Sequence, residues 1–231
     1  MRTTSIVILA IVLFASTNAL TSQDIIRAIN LARKNPHTIR DKIKAKYGNM
    51  PGPASDPTCY TDTINFLNVK PGLPPLVENM CADLSAWQHS KFCVKVLNKI
   101  DQIGERGTTP FTRVFDNGWW FGNAAVHEMI AQILRPDAIY PSADDFVMLW
   151  ITDCGNPTTK LHRAKVFETV LPEIGCGVYQ GPMTENGKTL TGTVATCDGV
   201  AQGLVIRKMV EWQLPEAGLT KATNSMRFTG V

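Results

Sequence analysis

The sequence lacks several motifs that identify common enzyme classes. It has no G-x-S-x-G segment, the nucleophile turn of many serine hydrolases. The segment His127-Glu128-Met129-Ile130-Ala131 is close to the HExxH zinc motif, but alanine occupies the position of the second histidine. Gly175-x-Gly177 begins a nucleotide-binding pattern, but Gln180 replaces its third glycine. We therefore expect neither that type of serine hydrolase, nor a zinc protease, nor a nucleotide-binding loop.

An excess of charge of one sign is also absent. The 231 residues include 23 Lys and Arg against 20 Asp and Glu, which gives a net charge of +3, and the basic residues are scattered. Nucleic-acid-binding proteins concentrate positive charge on one surface. Nucleic acid is therefore not an expected partner. With 44% apolar residues and no linker that divides the chain, a single globular domain is expected.

Long hydrophobic runs are confined to the N-terminus. Arg2 precedes ten apolar residues, 6–15, and small residues follow at Thr17-Asn18-Ala19. This pattern predicts a secretory signal peptide over residues 1–19. The alternative is a membrane anchor, but ten residues extend only about 15 Å as a helix, which is half of a bilayer core. We predict a secreted, extracellular protein without a membrane span, whose domain comprises residues 20–231.

The chain contains no CxxC pair, so a structural zinc knuckle is not expected. An even number of cysteines in an oxidising compartment predicts three disulfides and no remaining thiol. Residues 174–198 alternate in polarity around Asn186-Gly187, a two-residue hairpin signal. Counting outward from that turn places Cys176 opposite Cys197, where the Cα atoms of a non-hydrogen-bonded pair approach to about 4.5 Å. The cysteines are Cys59, Cys81, Cys93, Cys154, Cys176 and Cys197.

The pairing of the other four cysteines stays open. A helix predicted over residues 78–97 contains both Cys81 and Cys93, about 18 Å apart along its axis, so these two cannot bond. The remaining possibilities are Cys59–Cys81 with Cys93–Cys154, or Cys59–Cys93 with Cys81–Cys154. On the same helix, His89 shares the inward stripe with Cys93, which favours a packed histidine over a metal ligand.

Signals for helix ends are clear elsewhere. Capping boxes begin helices after Thr21 and Ser142, and Pro110 opens a short helix. Trp119 and Trp120 follow that helix, and we expect them to pack in the core. The alternative for these two residues is the rim of a site for an apolar ligand.

Several short motifs follow one another between residues 24 and 198. In this order they resemble the CAP superfamily, the group of cysteine-rich secretory proteins, antigen 5 and pathogenesis-related class 1 proteins. They are Ile29-Asn30-Leu31-Ala32-Arg33-Lys34-Asn35-Pro36, Ala86-Trp87-Gln88-His89-Ser90, Gly104-x-x-Gly107-x-Thr109-Pro110-x-x-Arg113, Glu128-Met129-Ile130-Ala131, Trp150 with His162-Arg163, and Ile174-Gly175-Cys176-Gly177-Val178. Residues 199–231 would form a C-terminal extension.

The resemblance implies an α+β fold, a single-domain three-layer α-β-α sandwich. It also implies a cavity lined by two histidines and two glutamates, sometimes with a divalent metal. Glu128 and His162 match this set, whereas Gln102 replaces the first histidine and Asp153 stands near the second glutamate position. Glutamine is a poorer zinc ligand than histidine. We therefore expect no metal and no other cofactor at a cavity formed by Glu128, His162 and Gln102.

Function is also inferred from this resemblance. It implies a binding module for an apolar small molecule, such as a sterol or another lipid, or for an extracellular protein partner. The alternative is a secreted hydrolase in which Glu128 and His162 act as an acid–base pair. The sequence contains no complete metal site and no recognisable nucleophile, which favours binding over catalysis.

Overall fold

A computed structural model describes residues 19–48, 50–119, 125–137, 139–155, 158–170 and 172–201. The predicted signal peptide, except Ala19, lies outside these ranges. Trp120 and all but three residues of the proposed C-terminal extension also lie outside them. The described residues form one α+β domain of seven α-helices and a four-stranded sheet. None of the helices among them is long and apolar enough to cross a bilayer.

Most of the helices lie in the first half of the chain, and the two longest strands lie at its end. A π-helical turn, Cys93–Leu97, continues α4, and a 3₁₀ turn, Glu105–Gly107, precedes α5. The helices are α1 (Ser22–Lys34), α2 (Pro36–Tyr47), α3 (Cys59–Val69), α4 (Met80–Phe92), α5 (Pro110–Asp116), α6 (Ala143–Thr152) and α7 (Leu161–Val166). The strands are β1 (Val77–Glu78), β2 (Val126–Arg135), β3 (Glu173–Glu185) and β4 (Lys188–Val200).

The predicted helix starts are confirmed. Thr21 and Ser142 each accept a hydrogen bond from a backbone N–H three residues later. The aspartate at that later position accepts a hydrogen bond from the backbone N–H of the cap residue. Pro110 is the first residue of α5, where its missing N–H costs no hydrogen bond. Trp119 is buried as expected, and it packs with Val114 from α5.

The sheet has the strand order β1-β3-β4-β2, with β1 parallel to β3 and the other pairs antiparallel. Asn186 and Gly187 have φ angles of 50° and 74°, the left-handed values that a type I′ hairpin turn requires. This turn sets the register that pairs Cys176 with Cys197. Their disulfide, with a Cα–Cα distance of 4.1 Å, is confirmed.

Helices pack against both faces of the sheet. Side chains on one face, including the disulfide, join a core with α1 and α6, to which Ile25, Ile29 and Trp150 belong. Helix α4 and its π-helical turn cover the opposite face, where Val94 packs against Ile130 and Val194. Because successive side chains of a strand alternate between faces, each strand contributes to both cores.

Two glycines of β3 allow α4 to approach the sheet closely. A Cβ atom at Gly175 would lie 2.1 Å from the backbone nitrogen of Asp83, and one at Gly177 would lie 2.0 Å from that of Trp87. These positions therefore require glycine for lack of space. The hydroxyl of Ser90 on α4 donates to the carbonyl of Gly177 at 2.9 Å, so the same contact is also hydrogen bonded.

The other expectations for the cysteines are wrong. Cys59, at the start of α3, bonds with Cys154, just after α6, because α3 and α6 pack together. Both open pairings assumed that all four remaining cysteines are oxidised. Neither Cys81 nor Cys93 takes part in a disulfide in the described chain, which has two disulfides, not three. Cys93 instead lies buried among apolar side chains between the π-helical turn and the sheet. Two disulfides fit an extracellular protein.

We expect Gly177→Ala to lower the free energy of unfolding by at least about 2 kcal/mol, because the new methyl group meets the α4 backbone and not a movable side chain. Urea unfolding measures this loss. The matched control is Gly155→Ala, which has open space and should change stability by less than about 0.5 kcal/mol. Equal stability of the two variants would contradict the close packing.

Peptide mapping of the unreduced protein should recover Cys59 linked to Cys154 and Cys176 linked to Cys197. Alkylation after unfolding without reductant should label Cys93, since the structure leaves its sulfur as a thiol. A peptide in which Cys93 is disulfide-bonded would contradict this assignment.

Candidate functional site

A layer of buried polar side chains lies between α4 and the sheet. Glu128 of β2 is directly opposite Asp198 of β4 in the strand register, and both carboxyl groups are buried. Ser85 of α4 donates a hydrogen bond of 2.9 Å to Asp198. The hydroxyl of Thr196, two residues earlier on β4, lies at the same distance from the Ser90 hydroxyl and donates to it, because Ser90 donates its single proton to Gly177. The layer therefore follows one face of β4 and is bonded to α4.

Arg113 is the cation of this layer. Its Nη2 donates to Glu128 Oε2, and both side chains are almost fully buried. The Nη1 atom donates to the carbonyl oxygens of Gln102 at 3.1 Å and Thr108 at 3.0 Å. One side chain on α5 thus ties the loop before that helix to a buried carboxyl group of the sheet.

Burial is the main influence on the two opposed carboxyl groups. Together with the neighbouring Asp198, it raises the pKa of Glu128 to about 8, although the charges of Arg113 and Lys165 oppose this. Burial likewise raises the pKa of Asp198 to about 7. Like charges directly opposite on neighbouring strands repel. Proton retention by these groups near neutral pH therefore lets them share one buried site.

His89 is a packed residue, as its helical position predicts. Its Nε2 lies 2.7 Å from the carbonyl oxygen of Asp101, and burial, followed by the charge of Arg113, lowers the pKa of His89 to about 4. The imidazole is therefore neutral at pH 7. A carbonyl only accepts hydrogen bonds, so Nε2 carries the proton and donates it to Asp101.

Cys93 is adjacent to His89, but the pair is not arranged as a catalytic dyad. The sulfur lies 3.8 Å from Nε2, the nitrogen that already carries a proton. That nitrogen cannot accept the thiol proton in this tautomer. Burial also raises the pKa of the Cys93 thiol, and the residue is fully buried. A nucleophilic cysteine needs a lowered thiol pKa and access to substrate.

The structure places His162 in a separate group. Asp153 accepts hydrogen bonds from the His162 backbone N–H at 2.8 Å and from its Nδ1 at 2.9 Å, so the carboxylate orients the ring. In the described chain no hydrogen bond or ion pair joins His162 to Glu128. The side chain of Gln102 is exposed, and this residue contributes its backbone carbonyl to Arg113. Of the three predicted cavity residues, Glu128 and Gln102 are therefore linked, through Arg113.

These residues do not fit a metal site. The cation next to Glu128 is Arg113, which takes the position that a metal ion would need. Within the described ranges, no three His, Cys, Asp or Glu side chains are grouped so that they could hold an ion. Glu128 and His162, the two residues that match the resemblance, are bonded to different partners, Arg113 and Asp153.

Sequence reasoning missed two members of the polar layer. Arg113 belongs to one of the motifs that resemble the CAP superfamily, but that motif does not indicate a contact with Glu128. The available signal is its position four residues after a helix cap, which places Arg113 on the same side of α5 as the first turn. Asp198 follows Cys197, whose side chain points to the α1 face, so alternation would have placed Asp198 on the α4 face. The opposition of Asp198 to Glu128 depends on the β2–β4 register, for which the sequence has no turn signal.

An open groove of about 540 Å³ borders the polar layer. It runs between α4 with its π-helical turn on one side and the 3₁₀ turn with α5 on the other. His89 and Arg113, both buried, lie at its base. Its walls include the side chains of Trp87, Lys91, Phe92, Lys95, Val96 and Arg106.

Comparison with known proteins adds no assignment. No model of a protein family matches this chain, and the curated proteins contain no significant match. The resemblance to the CAP superfamily therefore stays a prediction from the sequence motifs.

Glu128→Gln should remove a pH dependence of stability. The carboxyl pKa is 4.5 in the unfolded reference and about 8 in the folded chain, so folding favours the protonated group. Its contribution to stability is complete at acid pH and is lost as the pH rises through the folded pKa. Relative to the variant, the wild type should lose at least about 1.4 kcal/mol between pH 5 and pH 9, the equivalent of one pKa unit.

Urea unfolding at several pH values measures this difference, with Glu185→Gln on the exposed end of the hairpin as the control. The control should follow the wild type at every pH. If the wild type instead gains stability relative to Glu128→Gln as the pH rises, the ion pair with Arg113, and not burial, dominates the pKa of Glu128.

Proposed function

We propose that this protein is a secreted, non-catalytic binding module of the CAP type, and that the groove beside α4 is its ligand site. The observation that carries the proposal is a concave groove at whose base His89 and Arg113 are already bonded to other groups, His89 to Asp101 and Arg113 to Glu128. Helices cover both faces of the sheet, and this supports the three-layer α-β-α arrangement that the resemblance implies. The two disulfides support secretion.

The proposed ligand is an apolar small molecule such as a lipid or sterol. Trp87, Phe92 and Val96 supply apolar surface to one wall of the groove. Its volume of about 540 Å³ is in the range of small-molecule sites. An extracellular protein partner is the other occupant that the resemblance suggests. Stable protein interfaces need about 800 Å² on each partner, more surface than a groove of this size offers, so its size favours the small molecule.

The contacts of the polar groups argue against hydrolysis as the main activity. An acid–base pair must reach one substrate from both sides. Glu128 is buried against Arg113, whereas His162 is oriented by Asp153 in another group. Cys93 is a buried thiol beside a protonated nitrogen of neutral His89. The hydrolase alternative would require these groups to rearrange around a substrate.

The direct test of binding is mass spectrometry of ligands extracted from the protein purified from its natural secretions. Trp87→Ala should weaken binding of a fluorescent sterol or fatty-acyl probe by about tenfold, a loss of about 1.4 kcal/mol. Tyr60→Ala is the matched control, because this aromatic stacks on Tyr47, outside the groove. No extracted ligand together with no probe binding would contradict the proposal.

Turnover tests the alternative separately. We expect pure wild-type protein to hydrolyse none of a broad set of peptides and esters. If it does hydrolyse one, and if Glu128→Gln and His162→Gln each abolish that activity while remaining folded, the protein is a hydrolase and the binding proposal is wrong as the main function.

A further inference from the structure

Two lysines lie on the α4 side of the groove, each against an aromatic ring. The Nζ atom of Lys91 is 4.9 Å from the centroid of the Trp87 ring. That of Lys95, in the π-helical turn, is 5.8 Å from the centroid of Tyr179. The two rings pack edge to face at 6.4 Å. Aromatic faces attract and position ammonium groups without neutralising them.

The backbone on this side of the groove is well anchored. Close contact with Gly177 fixes Trp87 against β3. The π-helical turn ends at Asn98, whose side chain donates to the carbonyl of Thr184 at 2.8 Å and accepts from its N–H at 2.6 Å. A positioned pair of lysines loses less conformational entropy on binding an anion than a mobile pair does.

Arg106 supplies a third cation from the opposite side. It has a left-handed φ of 58° in a turn closed by a hydrogen bond of 2.8 Å from the Gly104 N–H to the Thr108 carbonyl. Arg113 holds this carbonyl and that of Gln102, so the turn is tied to α5.

None of the three groove cations is neutralised by a partner in the structure. Lys91, Lys95 and Arg106 take part in no ion pair within the part of the chain that is described. Glu105 and Asp116 also line the groove, on the Arg106 side. These two carboxylates limit the total positive charge, which disfavours a long polyanion. The two lysines lie on the other side, in the same α4 and π-helical segment as the apolar residues Phe92 and Val96.

We propose that the ligand of this groove is an amphiphile with an anionic head group, a carboxylate or a phosphate, which lies between Lys91, Lys95 and Arg106. Its apolar chain packs on Trp87, Phe92 and Val96. This inference rests on the proposed function and adds the chemical class of the ligand. A neutral sterol would leave the two lysines without a counter-charge, whereas an acidic head group pairs with them directly.

Calorimetry on the delipidated, secreted protein tests the head group. Dodecyl phosphate and dodecanoate should bind, dodecyl maltoside should bind at least tenfold more weakly, and inorganic phosphate alone should bind weakly because it lacks the apolar chain. The double variant Lys91→Gln/Lys95→Gln should weaken dodecyl phosphate binding by at least tenfold and reduce its salt dependence. It should not change the affinity for dodecyl maltoside. Lys44→Gln, an exposed lysine of α2 outside the groove, is the control.

The outcomes separate this inference from the function on which it rests. If dodecyl maltoside binds as tightly as dodecyl phosphate, the anionic head group is wrong while lipid binding stands. The same conclusion follows if the double variant binds both ligands as tightly as the wild type does. If inorganic phosphate binds as tightly as dodecyl phosphate, the groove is a simple anion site and the amphiphile is wrong. If no amphiphile binds, the proposed function itself fails.

Discussion

The close approach of α4 to strand β3 is the constraint on which the rest of the structure depends. Gly175 and Gly177 leave no room for a side chain between the strand and the helix backbone, so α4 lies directly on the sheet. At that distance the short hydroxyl side chains of Ser85 and Ser90 reach β4 and the carbonyl of Gly177. The same contact fixes Trp87, and with it one side of the groove. Larger residues at these two positions of β3 would push α4 away from the sheet and so disrupt both the polar layer and the groove.

Arg113 connects the buried carboxyl groups with the surface of the groove. Its guanidinium contacts Glu128 inside and two carbonyl oxygens of the neighbouring loop, those of Gln102 and Thr108. Burial of charged groups is costly unless each is paired, and removal of one partner costs several kcal/mol. The raised pKa of Glu128 and of Asp198 reduces the repulsion between these two carboxyl groups, because a protonated carboxyl group carries no charge. The polar layer therefore joins α5 and its preceding loop to the sheet, and its burial raises the pKa of both carboxyl groups.

The two disulfides stabilise different parts of the molecule. Cys176–Cys197 joins adjacent strands of one hairpin, on the face that α1 and α6 cover. Cys59–Cys154 joins α3 to the end of α6 across 95 residues of sequence. His162 and Asp153 lie in the segment that follows α6, next to this second disulfide. Lys165, three residues after His162 on α7, donates to the backbone carbonyl of Glu128 at 2.7 Å, but among the described residues no hydrogen bond or ion pair joins His162 itself to Glu128.

Local signals by themselves determined the helix starts, the hairpin turn and the Cys176–Cys197 pair, because each depends on residues near in sequence or on a register set by one turn. The inward position of His89 also followed from helical spacing. Only the tertiary structure decided the Cys59–Cys154 pair, the opposition of Glu128 and Asp198, and the contact of Arg113 with both a buried carboxyl group and the groove. These depend on how α3 meets α6 and how β2 aligns with β4. Such contacts join segments far apart in the chain, and no local pattern specifies their register.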